Sequence, residues 1–107
     1  MDIADWRKKI DEIDRKLVEL LNQRAQAAHE IGRLKQGKHL PVYEPEREQI
    51  VFHNVQEANG GPLPHSDVMR IYERIMDIMR KIQKEEDHSL STRDGAGDTE
   101  LDSEVND

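Results

Sequence analysis

The sequence predicts an all-α protein, a three-helix protomer with one long N-terminal helix, two copies of which lie with their long helices against each other. Three observations carry that expectation. Apolar residues recur at steps of three and four through three separate stretches, and no alternating strand pattern interrupts them. Breakers fall between the stretches, at Gly37, at Pro41 and at Asn59-Gly60-Gly61-Pro62. The first stretch is also longer than a compact domain of this size is wide.

That stretch runs from about Asp5 to Gln36. Trp6, Ile10, Ile13, Leu17 and Leu20 step by four, three, four and three; after a gap of seven, Ala27, Ile31 and Leu34 resume by four and three. This is a helical seam close to a heptad repeat. Asp5 is the expected N-cap, with Lys8 where a capping box would want Glu or Gln. Gly37 is the expected stop. A helix of ~32 residues is roughly 48 Å long. Twice the radius of gyration of a 100-residue domain is only about 26 Å.

The second stretch follows the loop Lys38-His39-Leu40-Pro41-Val42-Tyr43. Glu44 stands near its N-cap, Pro45 suits its first turn, and Glu46 sits by the positive helix end. Ile50, Val51, Val55 and Ala58 recur at helical spacing before the Asn-Gly-Gly-Pro stop. The third stretch starts after Pro64, with His65 or Ser66 near its cap. Val68, Ile71, Tyr72, Ile75, Ile78, Met79 and Ile82 form its apolar stripe, which fades after Gln83. Together the two later helices cover the long one only in part. A second copy would complete the burial; the alternative is a bent or broken first helix in a monomeric bundle. With four aromatic residues the core must be aliphatic and modest, which favours the second copy.

Charge divides the chain. It has 107 residues and a net charge of −7, but residues 85–107 hold nine acids and one base. Residues 1–84 hold 14 acids and 15 bases and are close to neutral. Residues 1–84 therefore read as one helical domain and 85–107 as an acidic disordered tail with a solubilising role. A near-neutral domain argues against nucleic-acid binding. Cysteine is absent, which excludes disulfides and thiolate chemistry. No apolar run approaches the ~20 residues of a membrane span, and the N-terminus lacks a signal-peptide pattern. A cytoplasmic location is expected.

The functional signal lies in polar residues on the apolar seams. Arg24 fills the gap in the first seam, where an aliphatic is wanted. A charge there is costly unless it is paired or meets a ligand. Arg7 lies on the neighbouring line with Ile10 and Asp14, and Lys35 continues the line of Ala28 and Ile31. Arg47 and Glu48 can share the inward face with Ile50 and Val55. Gln83 lies four after Met79, where a hydrophobe is expected. Each has an ordinary account: snorkelling stems, a solvated first turn in which Glu44 and Glu48 flank Arg47, a frayed helix end. Taken together, they would form one assembly of four cations, a carboxylate and an amide, with no nucleophile. Such a set suits a small substrate with two or more carboxylates. Arg7 and Arg24 are 17 residues apart, about 25 Å along a helix. If both serve one pocket, Arg7 must come from an antiparallel second chain. The five histidines show no metal-ligand spacing, and no phosphate loop is present.

Four runs now stand out together: Arg7-Lys8-Lys9-Ile10-Asp11-Glu12-Ile13-Asp14, Leu20-Leu21-Asn22-Gln23-Arg24, Ile31-Gly32-Arg33-Leu34-Lys35 and Pro41-Val42-Tyr43-Glu44-Pro45-Glu46-Arg47-Glu48. Over roughly residues 5–84 the chain resembles the AroQ class of chorismate mutase, the all-helical type. The resemblance implies an intertwined dimer that converts chorismate to prephenate, toward phenylalanine and tyrosine, with no cofactor and no metal. It implies that Arg24 holds one substrate carboxylate and that Arg7 reaches across the dimer to the other. Lys35 would contact a carboxylate and the ether oxygen of the breaking bond, and Gln83 would donate to that oxygen. Glu48 would accept from the ring hydroxyl, Glu44 would contribute through its backbone, and Arg47 would serve carboxylate binding and the local charge network.

Two departures stand out. Glu44 replaces a frequent Asp, and Met79 replaces the Ser of the best-known members, removing a hydroxyl near the substrate. Small members of the class can be activated by, or fused to, another enzyme of the aromatic pathway, so such an enzyme is a candidate partner. Two other readings remain. One is an isochorismate-pyruvate lyase on the same fold; those relatives tend to carry an apolar residue where this chain has Glu48. The other is a non-catalytic helical interaction module, for which Arg24, Lys35 and Gln83 would be dispensable.

Overall fold

The N-terminus is capped by Asp2, not Asp5. In the computed structural model, which describes residues 1–85, the Asp2 carboxylate accepts from Asp5 N at 2.9 Å, and the Asp5 carboxylate accepts from Asp2 N at 3.1 Å. Asp5 is thus the third residue of helix α1, Ile3–Lys38, and closes a reciprocal capping box. An aspartate serves there in place of the usual Glu or Gln. Hydrogen bonding from Asp5 N, with smaller contributions from its neighbours, lowers the Asp2 pKa below its usual value. At the other end α1 passes through Gly37 and stops one residue after it. His39 takes the left-handed conformation (φ 57°, ψ 38°) and caps the helix through its own N–H. The expected glycine stop is therefore displaced by two residues.

α2 spans Pro45–Ala58 and α3 spans His65–Glu85. As expected, Glu44 is the N-cap of α2, and Pro45 occupies the first helical position. The Glu44 side chain makes no capping bond; its carbonyl accepts from Glu48 N instead. The connection to α3 is organised by Asn59, whose side chain donates to Leu63 O and accepts from Gly61 N. Gly61 has φ 83°, a conformation that favours glycine. α3 carries one residue, Glu85, from the stretch assigned to the acidic tail; residues 86–107 lie outside those described.

Among the described residues there are three helices and no strand. α3 packs against the C-terminal half of α1, and α2 packs against α3. Arg24 meets Tyr72 and Met76 while Lys35 meets Gln83, so α1 and α3 run in the same direction. Glu48 meets Arg80 at the start of α2, so α2 runs back along α3. The molecule measures 53 × 35 × 19 Å. Its thinnest dimension is under two helix diameters.

The core is small. Ala28, Gly32, Val51, Met76 and Met79 are buried, together with one charged residue, Lys35. α1 runs unbroken over 36 residues, so the broken-helix alternative does not describe this chain. Its N-terminal half has no cover from α2 or α3. Ile3, Trp6, Ile10, Ile13, Leu17 and Leu20 each keep more than half of their surface exposed. Ile50, expected on an inward face, is also exposed; Val51 is the α2 residue that turns inward. No helix among the described residues is long and apolar enough to cross a membrane.

Candidate active site

The close approach of α1 and α3 sets the site. Gly32 has no side chain, and Gln83 Cα lies where a Cβ on Gly32 would come within 2.8 Å. Any other residue there would hold the helices apart. One turn further along α1, Lys35 therefore reaches Gln83 directly. Lys35 Nζ donates to Gln83 Oε1 at 3.0 Å and to Val42 O at 3.0 Å, and it forms an ion pair with Glu44 Oε1 at 2.9 Å. The ammonium is thus held by two hydrogen bonds and one ion pair. That satisfies a cation only 8% exposed, whose desolvation would otherwise cost several kcal/mol. It also ties the loop before α2 to α1.

The same contact orients Gln83. Lysine can only donate, so the amide atom facing it must be the oxygen. The NH₂ of Gln83 is left to donate elsewhere. Gln83 is half-buried within α3, one turn from Met79, and is not a frayed end.

Lys35 and Gln83 line a cavity of about 400 Å³ between the three helices. α1 contributes Arg24, Ala27, Ala28, Ile31 and Lys35; the loop and α2 contribute Val42, Glu44, Arg47, Glu48 and Val51. α3 contributes Met76, Met79, Arg80 and Gln83. The structure thus brings Arg24, Lys35, Glu44, Arg47, Glu48 and Gln83 to one place. Arg7 is not among them; it lies on the exposed N-terminal half of α1.

The charges are unevenly used. Arg24 rests its guanidinium 6.0 Å from the Tyr72 ring centroid and 3.8 Å from Met76 Sδ, with no carboxylate partner among the described residues. Arg47 has no ion pair among them either, so the ordinary account of a first turn in which Glu44 and Glu48 flank and pair with it does not hold. Those two acids turn to Lys35 and to Arg80 instead. Four cations and two carboxylates line the cavity, leaving two guanidinium forks for an anion with two carboxylates. Met79 is buried in the wall, where it supplies apolar surface and no donor.

Arg80 was not anticipated from the sequence. It donates to Glu48 Oε2 and to Asp77 Oδ1, and its guanidinium lies 5.4 Å from the Tyr43 ring centroid. The Glu48 hydrogen bond, aided by the charges of Glu48 and Asp77, raises its pKa, so it is a fixed cation. Its spacing held a signal: Met76, Arg80 and Gln83 step by four and three along one face. Gly32 was legible only as part of a run. The described residues include no group of three or more His, Asp or Glu arranged to hold a metal ion.

The chain is thus an all-helical protein with an exposed α1 seam and a cation-rich cavity, a lining whose chemistry suits a compact dianion. The sequence profile of the chorismate mutase type II family matches residues 6–84. The chain belongs to that family. It is 47% identical over 70 residues to a bifunctional chorismate mutase/prephenate dehydratase of Neisseria gonorrhoeae, covering 65% of this chain and 19% of that protein. It is 29% identical to a chorismate mutase of Methanocaldococcus jannaschii, covering 78% of this chain and 85% of that one. Its fold matches the crystal structure of Helicobacter pylori chorismate mutase in complex with prephenate, with a TM-score of 0.75 and 28% identity, over 82% of this chain and 96% of that chain. The chain spans about a fifth to a quarter of the length of the bifunctional relatives it matches.

Proposed function

We propose that the chain is a cytoplasmic chorismate mutase working as an intertwined homodimer, with residues 1–84 as its catalytic unit. It rearranges chorismate to prephenate for phenylalanine and tyrosine synthesis. In this reaction the ether C–O bond breaks as a C–C bond forms within the same molecule. No atom is gained or lost, so neither nucleophile nor cofactor is required. The protein has to hold the flexible ether in its reactive shape and place donors where negative charge grows on the ether oxygen.

The observation that carries this reading is the Lys35–Gln83 pair. Lys35 fixes the amide of Gln83 with its NH₂ free, giving an adjacent cation and neutral donor on one cavity wall. Arg24 and Arg47 serve the carboxylates, and Glu48 accepts from the ring hydroxyl. Glu44 contributes its backbone, and its carboxylate yields Lys35 to the substrate. The relatives' own names, one crystallised with prephenate and others joined to a prephenate dehydratase, support both the product and a pathway enzyme as partner.

The exposed seam of α1 supports the dimer. A fully buried Leu or Ile contributes about 1.5–3 kcal/mol, and six large apolar residues await cover. A second chain laid antiparallel along α1 buries them and carries Arg7 to the partner's cavity.

Product identity tests the proposal. The purified protein is given chorismate and isochorismate separately. Prephenate from chorismate is expected. Salicylate and pyruvate from isochorismate, without prephenate from chorismate, would assign the lyase activity instead. A biological function that survives alanine at Arg24, Lys35 and Gln83 together would assign an interaction module.

A further inference from the structure

We infer that Arg80 is a positioning residue for this reaction, holding the Glu48 carboxylate by one oxygen so that the other is presented to the substrate's ring hydroxyl. The inference rests on the mutase reading and deepens it.

Glu48 lies on α2 with its side chain 15% exposed. A carboxylate in such a place needs a partner, and a single unconstrained rotamer would not aim it. Arg80 supplies both restraint and charge. It reaches Glu48 Oε2 from α3, is anchored on its own helix by Asp77, and lies over the Tyr43 ring of the loop before α2. Three separate pieces of chain thus fix one guanidinium. Glu48 Oε1 accepts no hydrogen bond among the described residues. It is the open acceptor of a carboxylate that lines the cavity.

No other described cation is bonded to Glu48. Lys35, facing it from α1, is hydrogen-bonded to Val42 and Gln83 and ion-paired with Glu44. Arg24 and Arg47 line the same cavity with no carboxylate partner among the described residues. Lys81 and Lys84, neither of them bonded to Glu48, line a second recess with Tyr43 and Asp77. Val42, Glu48 and Arg80 line both spaces and form the wall they share. Both of its terminal nitrogens are engaged by carboxylates, which separates it from the unpaired Arg24 and Arg47. Lysine would keep the charge but could not bridge Glu48 and Asp77 with a planar fork.

The test compares chorismate with an analogue that lacks the ring hydroxyl, in wild type, Arg80→Met and Arg80→Lys. Arg80→Met is expected to lower kcat/KM on chorismate roughly tenfold, the order of one charge-assisted hydrogen bond. The loss on the analogue should be less than about twofold. Arg80→Lys should recover part of the loss, and in a Glu48→Gln background Arg80→Met should cost little more. Equal losses on both substrates would overturn the inference, because a damaged fold or a direct carboxylate contact affects them alike. If Arg80→Met does not fold, Arg80→Lys carries the same comparison, with the same overturning result. Wild type that makes no prephenate would overturn the mutase reading, and this inference with it.

Discussion

Gly32 and Gln83 meet backbone to backbone. A Cβ on Gly32 would stand 2.8 Å from Gln83 Cα and 2.9 Å from its carbonyl oxygen. Neither is the end of a flexible side chain, so an added methyl must push α3 from α1. The Lys35–Gln83 bond lies one turn away and would open with them. Gly32→Ala should therefore cost about 1–3 kcal/mol of stability and lower kcat by on the order of 100-fold, the scale for an ångström of misplacement. Thermal unfolding and steady-state kinetics on the same preparation check both. An active, fully stable alanine variant would contradict the proposed helix spacing.

Gln83→Glu should move the activity optimum toward acid. Gln83 donates at every pH, whereas a glutamate can donate only when protonated. Beside the Lys35 ammonium, a carboxylate would stay charged until the pH is low. An unchanged pH profile in this variant would remove Gln83 from the ether-oxygen role.

Glu44→Gln should lower KM. Its carboxylate lies 2.9 Å from Lys35 Nζ and is half exposed, so on the proposed reading an incoming substrate carboxylate displaces it. A pair of this kind is worth about 0.2–1 kcal/mol, which corresponds to a KM change of up to about fivefold. The backbone of residue 44 is retained, so kcat should change little. A rise in KM would mean that the carboxylate itself assists binding.

Complementation tests whether Arg7 is donated across a dimer. Arg7→Ala and Arg24→Ala should each be poorly active alone. Mixed, unfolded and refolded together at equal amounts, they should regain about a quarter of wild-type activity. Half of randomly paired dimers are mixed, and each mixed dimer has one intact site. No recovery would place Arg7 outside the site.

Acid should loosen the start of α1. Hydrogen bonding to the Asp5 amide lowers the Asp2 pKa below its usual 3.8. A depressed carboxyl pKa contributes stability that is present above the unfolded value and lost as the pH falls through the folded one. Amide exchange at Asp5, followed by NMR, should therefore accelerate below about pH 4. Asp2→Asn should abolish that acid step.

What the sequence made legible follows from how each residue signals its burial. Arg24 and Lys35 interrupt or extend a regular apolar line, so their placement could be read from periodicity. Arg80 shares a face with Met76 and Gln83 by spacing, but spacing names no partner for it. Only the fold shows that Glu48, Asp77 and Tyr43 converge on it. Gly32 gives no pattern of its own, because a glycine inside a helix signals nothing until the opposing backbone is known. The N-cap was misread because Asp2 and Asp5 are both good caps and the seam becomes regular only at Trp6. The stop was misread because a residue in the left-handed conformation need not be glycine. The length of α1 was legible, and so was its partial cover by two shorter helices; that the N-terminal half is the uncovered part had to be seen.

The central claim is that Lys35, held beside Gln83, drives the rearrangement of chorismate. The most direct measurement is loss of chorismate absorbance by wild type and by Lys35→Ala, with the product identified and folding checked by circular dichroism. The account predicts prephenate from wild type and a rate lower by about 100-fold or more in the folded variant, the scale for removing a donor to a developing oxyanion. Equal prephenate formation by both proteins, or none by a folded dimeric wild type, would contradict it.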